Sequence, residues 1–135
     1  MRDALSDAQS LAIGSDHTSV EPGHVLSSLI SDKNSSTARI LQQAGSDVAT
    51  LQRELDVLLA MYPRIGHNQG QISFSSDLVK VLSKSDVQAQ KNGDSYISVG
   101  QVIVVLIEEE SLRDIVQKAN VAPELIKAAI EQKRK

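Results

Sequence analysis

The chain has 135 residues, a formal net charge of −3, and neither cysteine nor tryptophan. That length fits one domain with a single core and needs no disulfide to hold it, and the acidic balance is the wrong sign for gripping a phosphate backbone. With 14 leucines, 13 valines, 12 alanines and 11 isoleucines against one phenylalanine and two tyrosines, the core is predicted to be aliphatic and functions built on ring stacking are excluded. The longest apolar run, residues 102–107, is six residues long, whereas a membrane span needs about 20. The first seven residues carry no apolar stretch of signal-sequence type. A cytoplasmic location is expected, with neither nucleic acid nor membrane as partner.

From Asp3 to Gly14 the apolar residues Leu5, Ala8, Leu11 and Ala12 follow helical spacing, and Gly14 marks the stop. Glu21-Pro22 opens a second helix, with proline in the first turn and Val25, Leu26, Leu29 and Ile30 on one face to about Ser31. Ser35 or Ser36 caps a third, which carries Ile40 and Leu41 and ends at Gly45, where a left-handed residue closes a helix at little cost. Ser46 or Asp47 caps a fourth, striped by Val48, Leu51, Leu55, Leu58 and Leu59. The stretch from Met61 to Ser75 holds Pro63, two glycines and several amides without helical period, and reads as a linker. After the Ser75-Ser76-Asp77 cap, helical spacing returns at Leu78, Val81, Leu82, Ser85 and Ala89, and the turn residues Asn92-Gly93-Asp94 end it.

The remainder is read through an internal repeat. At a shift of 77 positions, Leu5 meets Leu82, Ser6 meets Ser83, Ala12 meets Ala89, Val20 meets Ile97, Val25 meets Val102, Leu29 meets Leu106 and Ile30 meets Ile107. After a two-residue deletion the shift becomes 75, pairing Ile40 with Ile115, Ala44 with Ala119, Leu51 with Ile126 and Leu55 with Ile130. The repeat decides the ambiguous segment 101–107, β-branched enough for a buried strand, in favour of helix, because its counterpart 24–30 is helical. The expected fold is all-α: about eight helices in two pseudo-symmetric four-helix repeats, residues 1–60 and 77–135, joined by a linker at 61–76 into one compact domain.

Reaction chemistry is sparse. The sequence has no G-x-x-x-x-G-K-[ST] run to cradle phosphates. His17, His24 and His67 have no metal-ligand spacing; His24 is expected at a partly buried helix start and His67 in solvated linker. Ser15-Asp16-His17 lacks the elbow that would present a nucleophile and reads as a polar turn. Glu108-Glu109-Glu110 reads as a solvated helix end, since three successive residues on a helix point in different directions. Asn34-Ser35-Ser36 matches a glycosylation acceptor, which matters only in secreted proteins.

Three stretches taken together, Asp7-Ala8-Gln9-Ser10-Leu11-Ala12, Val20-Glu21-Pro22-Gly23-His24-Val25-Leu26 and Ala89-Gln90-Lys91-Asn92-Gly93-Asp94-Ser95-Tyr96-Ile97-Ser98, resemble in order and spacing the N-terminal domain of the Clp ATPases, most closely the ClpB disaggregase branch. The resemblance implies a non-catalytic substrate-recognition module that weakly binds unfolded or aggregated polypeptide and delivers it to hexameric ATPase rings. ATP and Mg belong to those rings, and no cofactor or metal is expected in these residues. An isolated domain of this kind is expected to be a monomer. Docking of adaptor proteins, as in the peptidase-associated ClpA/ClpC branch, is the alternative.

Matched to the family pattern, the expected substrate-binding residues are Lys84, Asp94, Tyr96, Val99 and Gln101. Asp94 matches the acidic residue after glycine in the second repeat, where it serves as a polar lip contact or a turn cap. Tyr96 reaches the groove, whereas Ile97 and its counterpart Val20 belong to the core. The chain also departs from the family. Val99-Gly100-Gln101 follows Ser98 where Ser-Glu-Leu is usual, and Lys84 stands where leucine is common, so an acidic and two apolar groove residues are replaced. Matched to that pattern, the first helix is expected to begin several residues into its family counterpart, without the polar contact to the Asp94 region. A groove with an apolar floor is expected at the seam between the two repeats.

Overall fold

A computed structural model describes residues 2–31, 35–64, 72–91, 93 and 99–134. Eight α-helices follow one another: α1 Arg2–Gly14, α2 Pro22–Ile30, α3 Ser36–Gln43, α4 Val48–Met61, α5 Ser76–Lys91, α6 Val99–Ile107, α7 Arg113–Lys118 and α8 Pro123–Arg134. A 3-10 turn, Glu110–Leu112, precedes α7. None of the described helices is long and apolar enough to cross a membrane.

The helix starts are local chemistry. Ser35 caps α3 by accepting from the Ala38 N–H at 3.1 Å, and Asp47 caps α4 by accepting from the Thr50 N–H at 3.1 Å. Ser75 does the same for α5 through the Leu78 N–H at 3.1 Å. At α2, Glu21 forms a capping box with His24, and Pro22 occupies the first helical position.

The stops repeat. Among the described residues four have positive φ: Asp16 (57°), Gly45 (83°), Gly93 (75°) and Asn120 (57°). Asp16 and Gly93 are related by the first shift of the sequence repeat, Gly45 and Asn120 by the second. The bonds match as well. Ser46 N–H donates to the Leu41 carbonyl at 2.9 Å and Val121 N–H to the Val116 carbonyl at 2.9 Å, the six-to-one bond of a left-handed C-cap. His17 N–H closes α1 in the same way on the Ala12 carbonyl at 3.0 Å. Gly14 is thus the last residue of α1, and Asp16 rather than glycine takes the left-handed conformation.

The segment read as linker is partly structured. Met61 ends α4, Ser76 begins α5, and between them Ser73–Phe74 (β2) pairs in parallel with Ser19–Val20 (β1), Ser19 opposite Ser73 and Val20 opposite Phe74. Ser75 N–H extends the ladder to the Val20 carbonyl at 2.9 Å. Two residues per strand carry no periodicity signal, so only the tertiary pairing reveals them. The 101–107 segment is helical, because α6 buries Val102, Ile103, Leu106 and Ile107 on packed neighbours and does not need ladder partners.

One aliphatic core joins both sets of four helices, running from Ala8, Leu26 and Leu41 through Leu55 to Leu78, Leu106 and Ile126. Helix α2 packs on α5 and α6, α3 on α6 and α8, and α4 on α7. The Asp47 N–H, at the start of α4, donates to the Ala119 carbonyl at the end of α7 across 2.8 Å. The junction between the two sets is therefore packed core where it is described.

Candidate functional site

Among the described residues a groove lies inside the second set of helices, whereas the two-repeat reading expects one at the seam, which is packed core where it is described. Helix α6 forms its floor, with α5 and α8 packed on either side. On α5, Lys80, Lys84, Val87 and Gln88 share one edge because they are spaced at one and two helical turns. Gly100, Gln101, Val104 and Val105 line the floor from α6, and Lys127 and Ile130, one turn apart on α8, make the far wall. The open groove has a volume of about 690 Å³, within the range of ligand clefts.

Two of the expected site residues, Lys84 and Gln101, meet in this groove. Lys84 is exposed on the rim, whereas Gln101 is buried in the floor. Val99 is the first residue of α6, one position before the lining residue Gly100, and its side chain lies outside what is described. Asp94 and Tyr96 lie outside the described residues, as do Ile97 and His67.

Gly100 has a packing reason to be glycine. A Cβ built there would sit 3.1 Å from Cγ2 of Ile130, closer than ordinary carbon contacts. Here α8 leans on the backbone of α6, so an acidic side chain of the family type would have to displace Ile130.

The charges are unevenly placed. On the far wall Lys127 Nζ pairs with Glu108 Oε1 at 2.8 Å and approaches Glu124 at 4.0 Å. The hydrogen bond to Glu108, and then its charge, hold the Lys127 ammonium above the usual lysine range. Glu109 accepts from the Ser111 N–H at 2.9 Å and so caps the 3-10 turn. Glu108 and Glu109 thus follow the helix end and are not a free acidic run. Lys80 and Lys84, one turn apart on α5, enter no ion pair among the described residues.

Sequence reasoning missed Lys80, Val87, Val104, Lys127 and Ile130. The first two were within reach, since they sit four before and three after Lys84. The α8 pair was not, because nothing in a one-dimensional pattern says which helix closes over another.

His17 and His24 belong to the core. His17 is 2% exposed and His24 fully buried, against the expected polar turn and partly buried helix start. Both pack against the Tyr62 ring, with centroids 5.6 and 5.1 Å away. A Ser-His-Asp relay needs the imidazole Nδ1 to face a carboxylate; here Nδ1 of His17 faces the His24 ring at 2.7 Å. Burial, chiefly, lowers the pKa of both rings, that of His24 to about 4.

The Clp repeat (R) N-terminal domain family matches residues 1–119. The ClpB chaperone of Pseudomonas putida is 38% identical over 108 residues, which cover 80% of this chain and 13% of the relative. The chain therefore corresponds to a small part of such a relative. Among solved structures, the Hsp104 N-terminal domain from Candida albicans is similar with a TM-score of 0.85 at 24% identity, over 96% of this chain and 86% of that one. A ClpV N-domain solved in complex with a VipB peptide is similar with a TM-score of 0.72 at 21% identity, over 91% and 77% of the two chains.

Proposed function

The chain belongs to the Clp repeat (R) N-terminal domain family, and from that premise we propose that its groove between α5, α6 and α8 holds exposed segments of unfolded or aggregated polypeptide for delivery to ATPase rings outside these residues. The observation that carries this reading is the groove itself, with Val81, Val104, Val105 and Ile130 inside and lysines and glutamates at its lip. Apolar side chains of an unfolded segment have somewhere to go, while the rim stays hydrated. A ClpV N-domain has been solved with a VipB peptide, which supports a peptide-binding role for the fold.

Binding is expected to be weak. Burying about 300 Å² of apolar surface contributes roughly 7–8 kcal/mol gross, from which association and ordering remove at least about 4 kcal/mol. Weak binding suits a module that must let go of what it samples, and several copies on a hexameric ring raise the avidity. ATP and Mg²⁺ act in the rings, and the boundaries 1–60, 61–76 and 77–135 delimit two repeats and their connection.

A second reading, docking of a dedicated adaptor protein, draws on the polar residues Lys84 and Gln101, which suit a specific partner more than any greasy segment. Titration with a reduced, permanently unfolded model protein, followed by amide NMR shifts, separates the two. Shifts centred on Lys84, Gly100, Gln101 and Val104 are expected for polypeptide capture. Silence at millimolar ligand leaves adaptor docking.

A further inference from the structure

We infer that the α5–α6–α8 groove selects segments that carry carboxylates beside their apolar residues, with Lys80 and Lys84 as the acid-reading pair. The inference rests on the polypeptide-binding reading above and adds the chemistry of the occupant. Its ground is an imbalance of charge across one groove. On the α8 side the ammonium of Lys127 is already answered by Glu108 at 2.8 Å. On the α5 side Lys80 and Lys84 are exposed and, among the described residues, in no ion pair, so two positive charges line one edge of a chain whose net charge is −3.

The spacing suits an acidic peptide. Residues four apart on a helix have Cβ atoms about 5–6 Å apart, and alternate residues of an extended segment lie about 6.6 Å apart on one side. An extended segment with acids at every second position can therefore meet both lysines, while the residues between them turn toward Val81, Val104 and Ile130. Val87, 47% exposed on the same edge, adds apolar contact beyond Lys84. A basic segment would meet Lys80 and Lys84 as like charges, and a neutral one would leave them hydrated.

Three matched peptides test this, alternating leucine with glutamate, glutamine or lysine, each titrated into the isotope-labelled chain. The glutamate peptide is expected to bind about three- to tenfold more tightly than the glutamine peptide at low salt, with the lysine peptide weakest and the differences shrinking as salt screens the exposed charges. In the K80Q/K84Q variant, whose exposed positions leave the core untouched, the glutamate preference should vanish, so that the glutamate and glutamine peptides bind with equal affinity. Equal affinity for the glutamate and glutamine peptides, or preference for lysine, overturns the acid selectivity and leaves polypeptide capture standing. If no peptide shifts the Gly100, Gln101 or Val104 amides, polypeptide capture itself fails and this inference with it.

Discussion

His24 donates its Nε2–H to Nδ1 of His17 at 2.7 Å, inside the core. The direction follows from the other side of the ring, where the Glu21 N–H donates to His24 Nδ1 at 2.8 Å and leaves the proton on Nε2. Both rings must then be neutral, because a second proton on either would remove an acceptor the arrangement uses. The groups acting on the pair are Arg64, Asp16 and the backbone of Leu59 at His17, and the backbone of Glu21 at His24. Tyr62, packed on both rings, is itself held above the ordinary phenol range, by burial first.

Stability should therefore fall in mild acid. A histidine whose folded pKa is depressed costs nothing above about pH 6.5, where both states are neutral. Below that the unfolded chain binds the proton first, and the loss accumulates until the folded value near 4 is passed. Between pH 7 and pH 5 the expected loss from His24 is about 2 kcal/mol, with His17 adding in the same direction. Urea denaturation at the two pH values measures it; a His24→Gln variant should be less stable at pH 7 but show a flatter dependence.

Gly23 has no room for a side chain, since a Cβ there would overlap the hydroxyl oxygen of Tyr62 and crowd Leu58. Gly23→Ala is expected to destabilise by about 1–3 kcal/mol. The Tyr62→Phe background removes the overlapping atom, so a double-mutant cycle should return a favourable coupling of at least about 0.5 kcal/mol. Additive losses in thermal denaturation would contradict this account of the glycine.

Gly100 presents the milder case. Alanine gains about 1 kcal/mol of helix propensity but presses on Ile130 at 3.1 Å. In an Ile130→Ala background the pressure is gone, and Gly100→Ala should be more favourable there than in the parent by about 0.5–1 kcal/mol. Melting curves of the four proteins decide it.

The matching left-handed caps give a further check. Gly45→Ala and Asn120→Ala should each cost about 1 kcal/mol, because only glycine, asparagine or aspartate adopts φ near 57–83° cheaply. Asn120→Gly should be neutral within about 0.5 kcal/mol, and Gly45→Asn should be tolerated better than Gly45→Ala. Chemical denaturation of the set would show whether the two caps behave alike.

Much of the fold was legible because its signals are local. The caps at Ser35, Asp47 and Ser75 and the stop at Gly45 stand beside the helices they bound, and the repeat carried the helical assignment across the β-branched run at 101–107. The groove was legible in part. Lys84 and Gln101 stood out as departures from the family pattern, and they share one cleft. His17 and His24 were misplaced toward solvent, because His17 Nδ1 and both ring nitrogens of His24 are satisfied inside the fold, by the other ring seven residues away or by the Glu21 N–H three residues away.

The amino-acid order alone determined the eight helices, their aliphatic faces and the twofold recurrence, since periodicity and capping act within a few residues. Tertiary packing decided which helix lies over which: that α8 rests Ile130 on Gly100, that Lys127 is neutralised by Glu108 while Lys80 and Lys84 enter no ion pair among the described residues, and that β1 finds β2. Those contacts join residues far apart in sequence, and their geometry is set by how the whole core closes, which no local pattern encodes.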